Sequence, residues 1–160
     1  MGGAQMMLVL GALVLLSLMV LNINRAQLES ERQMSQAEYI LAATAVGQSM
    51  ISEISSKHFD ATTASNESAP VSSFTSPHHL GAGSWESYPN FNDFDDFHRF
   101  NTTVNTPRAG NFRIRCLVDY VDPMTPNVTS GIRTRTKRLR VNVSSDFLDD
   151  PVNLVYYKSH

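Results

Sequence analysis

Residues 6–21, MMLVLGALVLLSLMVL, carry no charge and are interrupted only by Gly11 and Ser17. With Ala4 and Ile23 at its edges, the stretch approaches the ~20 residues that cross a bilayer core. Leucine and methionine are good helix formers and proline is absent, so the stretch reads as helix. Such a segment serves as a cleaved secretory signal, as a simple membrane anchor, or as a helix that sits in a membrane first and later packs into a protein assembly. A secretory signal calls for a basic segment before the apolar run and small residues at the cleavage point. Nothing before Met6 is charged, and Asn22-Ile23-Asn24-Arg25 is a poor cleavage site.

The next residues show no break. From Asn22 to Lys57 there is no proline, and the one glycine is Gly47. The chain turns polar and then amphipathic: Ile40, Ala43, Gly47, Met50 and Ile54 fall at spacings of 3, 4, 3 and 4, one stripe on a helix, which Tyr39 and Val46 widen. We therefore expect one helix from about Ala4 to about Lys57, roughly 80 Å long at 1.5 Å per residue. A domain of ~100 residues is only about 30 Å across, so about half of the helix is expected to find partners outside its own domain. Residues 1–24 form the apolar membrane or filament-core helix, carried by Met6, Leu8, Leu10, Gly11, Leu15, Leu18 and Leu21. Residues 25–58 continue it, and residues 59–160 form a globular head.

Within the head, residues 61–110 are rich in Ser, Thr, Asn, Asp, Pro and Gly, with no sustained period. Fifty such residues are unusual in a compact domain. The aromatics Phe74, Trp85, Tyr88, Phe91, Phe94, Phe97 and Phe100 argue for an irregular but packed stretch, because disordered segments are poor in them. Residues 111–160 alternate. Phe112, Ile114, Cys116, Val118 and Tyr120 share one face of a strand, with Cys116 a buried small apolar residue. A turn region runs from Met124 to Gly131. Lys137, Leu139, Val141 and Val143 share a face of a second strand, and Val152, Leu154 and Tyr156 suggest a third. Period 2 between turn residues supports an antiparallel meander. The fold class is α+β: a long N-terminal helix packed through Ile40, Ala43, Gly47, Met50 and Ile54 on a small C-terminal antiparallel sheet.

Charge and composition exclude several functions. The chain has 13 basic and 15 acidic residues and a net charge of -2, so no specific nucleic-acid partner is expected. The lone cysteine excludes an intrachain disulfide and a multi-cysteine zinc site. No phosphate loop, nucleophile elbow or paired-carboxylate arrangement is present, and the chain is not expected to be an enzyme. Asn92, Asp93, Asp95 and Asp96 place oxygen ligands of the kind Ca²⁺ prefers on one loop; the competing reading is a polar turn held by its own side chains. No other cofactor is expected. His78-His79 and His98 lack a spaced metal-binding partner, and His160 is expected to be free at the chain end. Asn66, Asn101, Asn127 and Asn142 begin Asn-x-Ser/Thr triplets. Arg133, Arg135, Lys137, Arg138 and Arg140 make a basic strip. It reads as a solvated strand edge, as a contact to an acidic surface of a neighbouring subunit, or as a site for an external polyanion.

The layout resembles a known family. The helix end, Ala45-Val46-Gly47-Gln48-Ser49-Met50-Ile51-Ser52-Glu53-Ile54 followed by Phe59-Asp60, is similar to a pattern found in many prepilin-like proteins. So are the run Asp93-Phe94-Asp95-Asp96-Phe97-His98 and the three-part ending Phe112–Pro123, Thr136–Val143 and Pro151–Leu154. The chain thus looks like a type IV pilin or a type II secretion pseudopilin. The resemblance implies a subunit held first in the inner membrane and then packed as a homo-oligomer in an extracellular, cell-surface filament. It also implies assembly machinery and a prepilin peptidase as partners. Family members carry a short basic leader and usually a glutamate five residues after its cleavage point. Counted from Met1 the fifth residue is Gln5, and counted from a cut after Gly3 it is Val9; a neutral residue is easier to bury in an apolar core than a carboxylate. Small residues (Gly11, Ala12, Ala42, Ala43, Ala45, Gly47) allow helices to approach closely, and Arg25 with Glu29, or Glu31 with Arg32, suits pairing between subunits. A minor pseudopilin and a monomeric membrane-anchored binding module are the alternatives.

Overall fold

The computed structural model describes residues 2–160. The chain divides into two units, Met1–Glu38 and Tyr39–His160. One helix, α1 (Gly3–Ser56, 54 residues), supplies the first and opens the second.

In the first unit, helix-forming leucine, methionine and alanine dominate. Ser17 turns its hydroxyl back onto the Leu13 carbonyl at 2.8 Å, so its one polar group is satisfied within the helix. Residues 2–35 are all exposed within the chain. The large apolar side chains from Met6 to Ile23 are 48–77% exposed, all the way round the helix. The stretch is long and apolar enough to cross a membrane.

In the second unit, α1 buries Ala43, Gly47, Met50 and Ile54. Ile40, expected on this face, is instead 45% exposed. The hydrophobic core reaches back only to Ala42 and Ala43, and one turn earlier the packing is made by Tyr39, whose ring stacks on Phe147 at 5.2 Å. The helix ends where a side chain meets its free carbonyls: Lys158 Nζ donates to the Ser55 oxygen at 2.9 Å and also to the Lys57 oxygen, a C-terminal cap by a cation.

Helix α2 (Ala61–Ser65) follows at once because Asp60 caps it. Its Oδ1 accepts from Thr62 N at 3.3 Å, and Thr63 Oγ1 accepts from Asp60 N at 3.0 Å. Short 3₁₀ turns lie at Val71–Ser73 and Asp95–Phe97. The strands are β1 (Asn101–Thr106), β2 (Gly110–Asp122), β3 (Thr125–Thr129), β4 (Thr136–Ser144) and β5 (Val152–Ser159). They form one sheet ordered β1-β2-β4-β5, with β3 paired to the end of β2 and every strand pair antiparallel. β2, β4 and β5 match the alternation in the sequence. Two strands stand where none was expected: β1 within the supposedly irregular region and β3 within the supposed turn. Both are polar, NTTVNT and TPNVT, so their pairing with β2 defines them rather than an apolar face of their own. The β1–β2 hairpin closes on Gly110 at φ 73°, a left-handed position that glycine tolerates best.

The core lies between α1 and the sheet. Phe112, Ile114, Cys116, Val118, Leu139, Val141 and Val143 meet Ala43, Met50 and Ile54, and Phe91, Phe94 and Phe97 close one end. The aromatic-rich stretch is thus packed, as its composition suggests. Trp85 is the exception, 99% exposed.

Gly47 marks the closest approach of helix to sheet. A Cβ there would sit 2.5 Å from Leu154 Cδ1 and 3.1 Å from Val143 Cγ2, and valine at 143 is stiff about χ1. Gly47→Val is expected to destabilise the detergent-solubilised chain by about 1–3 kcal/mol. The check is the midpoint of urea unfolding, with the slope unchanged.

Candidate functional site

Two places in the second unit concentrate charge. The first is buried. His58 N donates to Asn92 O at 3.4 Å and Phe94 N to His58 O at 2.9 Å, which seats the acidic run against the helix exit. Asp93 Oδ1 accepts from the backbone N–H of Asp95 at 3.0 Å and of Asp96 at 3.1 Å. Asp96 Oδ2 accepts from Asn92 N at 3.0 Å and Asp93 N at 3.2 Å. The carboxylates of Asp93 and Asp96 thus cap their own turn, and Asp95 Oδ1 accepts from Lys137 Nζ at 2.7 Å. Among the described residues, no group of three or more His, Cys, Asp or Glu side chains is arranged to hold a metal ion.

Lys137 is the centre of this cluster. Its ammonium is fully buried and donates to Phe59 O at 2.7 Å, Asp60 Oδ2 at 3.0 Å and Asp95 Oδ1. It also lies 4.4 Å from the Phe59 ring centre and 5.1 Å from that of Tyr120. Asp60 accepts from Thr75 N at 2.8 Å as well, and Tyr120 OH donates to Thr75 O at 2.8 Å.

The carboxylates respond in opposite directions. Burial raises the Asp60 pKa, but the Lys137 charge and the hydrogen bonds from Thr75, Lys137 and Thr62 outweigh it and hold the group below its usual range. Asp93 has no cation of its own. Burial, then the charge of Asp95 and the contact with it, push it up to about 8. Burial raises Asp96 too. Closely packed carboxylates oppose one another's ionisation, which favours the protonated form of Asp93. Burial also raises the Tyr120 hydroxyl and pushes the Cys116 thiol up to about 12, so Cys116 is an inert core residue. Lys158 is lowered, first by burial and then by the charge of Lys137.

The second place is the expected basic strip, which the structure breaks up. Lys137 faces the core because strand alternation puts it on the same side as Leu139 and Val141. Arg138 faces the other way but is covered by β3: its guanidinium donates to the carbonyls of Pro126 and Asn127 and to Thr129 Oγ1, and pairs with Asp119 at 3.1 Å. Its Nε is buried without a partner. Neither side chain is available to another subunit. Arg133, Arg135 and Arg140 remain exposed; Arg133 Nε donates to Phe74 O at 2.6 Å and Arg140 pairs with Asp119 at 2.6 Å.

On the outer sheet face, strand register lines up Asn101, Arg115, Asn142 and Asn153 in one row. With Arg99 and Arg140 they border a groove of about 450 Å³. His78 and His79 are exposed in a turn, and His98 Nδ1 lies 2.5 Å from Val118 O. His160 is not free: its ring stacks on Phe59 at 5.4 Å and its N–H donates to Arg135 O at 2.9 Å. In the first unit, Met6, Leu8, Leu10, Leu15, Leu18 and Leu21, the residues expected in a membrane or filament core, are all exposed, and Gly11 has open space around it.

Comparison with protein-family models, with curated proteins and with solved structures finds no match.

Lys137→Met should destabilise the second unit by about 3–5 kcal/mol, because it strands two buried carboxylates. Adding Asp60→Asn and Asp95→Asn should recover much of the loss in the same unfolding assay. The pH test is Asp93→Asn. The raised pKa of Asp93 contributes stability that is complete below about pH 4 and is lost as pH rises toward the folded value. The variant should match the parent near pH 4 and exceed it in melting temperature near pH 8. Asp60 acts with the opposite sign, and its share is lost as the solution is acidified below about pH 4.

Proposed function

We propose that the chain is a structural subunit that self-assembles through its N-terminal helix into a type IV pilus-like extracellular filament. The observation that carries this reading is the contrast between the two units. The second holds a closed core whose buried ammonium, Lys137, is paired with two carboxylates. The first exposes a membrane-length apolar helix on every side.

In this reading the apolar stretch is held first in the inner membrane. Assembly machinery then moves subunits into a fibre, where neighbouring helices replace lipid around Met6–Leu21. Little hydrophobic free energy changes in that exchange, because lipid tails are as apolar as leucine, and close packing supplies the specificity. A repeated contact between different faces of the same chain does not close, so it yields an open filament. The head contributes no catalytic step, and a long N-terminal helix followed in sequence by a small antiparallel sheet supports the assignment. A prepilin peptidase is the expected processing partner.

Negative-stain electron microscopy of sheared cell-surface material, with intact-mass analysis, tests the reading. Thin fibres in which this chain is the major species are expected, and the mass locates the start of the mature chain. This chain as a trace component of fibres made of another subunit would make it a minor pseudopilin. A monomer confined to detergent-solubilised membranes would overturn the polymer and make it an anchored binding module.

A further inference from the structure

Between the apolar stretch and the second unit, α1 carries five charged side chains: Arg25, Glu29, Glu31, Arg32 and Glu38. All are exposed. Glu29 accepts from Gln33 at 3.4 Å. Arg25, Glu31, Arg32 and Glu38 make no hydrogen bond or ion pair within the described chain. The two arginines are seven residues apart, and so are Glu31 and Glu38. On a helix each pair therefore forms a short axial row, and the rows lie roughly 120° apart around the axis.

We propose that this segment is a register device for a second, parallel copy of the chain, set six residues along the helix. At that stagger, roughly 9 Å, Arg25 of one copy faces Glu31 of its neighbour and Arg32 faces Glu38. Six is the one parallel offset at which both arginines meet glutamates. It brings no like charges together, since Glu29 then meets Ser35. The same offset sets Gly11 against Ser17, the two small residues that interrupt the apolar run. Small residues in facing positions let the backbones approach. The two rows sit on different faces, so each copy offers its arginines to one neighbour and its glutamates to another, and the contact propagates. Exposed ion pairs add little affinity; here they select register and orientation, while the apolar stretch supplies the contact.

The charges also permit an antiparallel pair, Arg25 with Glu38 and Arg32 with Glu31. That pairing sends the two apolar stretches in opposite directions, which one shared membrane does not accommodate. The proposal rests on the self-assembly reading, and the test separates the two. In the full-length chain with Cys116→Ala, the pair Arg25→Cys and Glu31→Cys is introduced and oxidised in the assembled state. Two positions six apart on one helix are too distant for a disulfide within the chain. Parallel six-residue stacking gives a ladder of covalent multimers on a non-reducing gel. Arg25→Cys with Glu38→Cys gives no ladder; a discrete dimer from that pair would establish the antiparallel arrangement and overturn the proposal. In the native-cysteine chain, Arg32→Glu is expected to lower the assembled fraction by roughly tenfold, and Arg32→Glu combined with Glu38→Arg to restore it. Assembly of the parent with neither ladder nor charge-swap rescue overturns the register alone. A parent that stays monomeric overturns the self-assembly reading and the register with it.

Discussion

The second unit is organised around one ammonium group. Lys137 Nζ joins three segments far apart in sequence: the helix exit at Phe59 and Asp60, the acidic turn at Asp95, and strand β4. A buried charge is tolerable only when every hydrogen it carries has an acceptor, and Lys137 reaches three acceptors. This requirement accounts for features that would otherwise look unrelated. Asp60 caps α2 with one oxygen and neutralises Lys137 with the other. The turn at Asp93–Asp96 is knotted by its own backbone bonds, so that Asp95 is aimed inward and Asp93 can remain neutral. Lys158, a second cation close by, is directed to the carbonyls at the end of α1.

The two units differ in what their surroundings must provide. Around Lys137 polar and apolar groups are satisfied internally. From Met6 to Ile23, fourteen large apolar side chains are exposed. Burying each is worth about 1.5–3 kcal/mol, so the sum exceeds the 5–15 kcal/mol by which a typical domain is stable. Water is therefore an unfavourable medium for that segment, which is long and apolar enough to cross a membrane. The polar stretch after it differs again: its charged side chains are all exposed and carry no such cost in water.

The helix and strands β2, β4 and β5 were legible in the sequence because each has a strong period over many residues. Ile40 was misplaced because periodicity does not tell where a sheet stops beneath a helix. β1 and β3 escaped notice because polar strands take their conformation from the partner that pairs with them. The charged site was half visible. The parity of Lys137 with Leu139 and Val141 already pointed inward, but grouping it with neighbouring arginines hid that signal. Its partners Asp60 and Asp95 lie 77 and 42 residues away in sequence, and local patterns do not carry pairings of that range. The acidic run left two readings open, a cation site and a self-capped polar turn, because composition does not say which oxygens the backbone leaves available.

Trp85 carries a spectroscopic consequence. It is the single tryptophan of the chain and, at 99% exposure, it is as wet in the folded head as in an unfolded chain. Its emission is therefore nearly blind to melting of the core. The indole senses only what arrives from outside, whether another subunit, a lipid headgroup or a ligand, and so supplies an optical signal for association that is separate from any signal for folding.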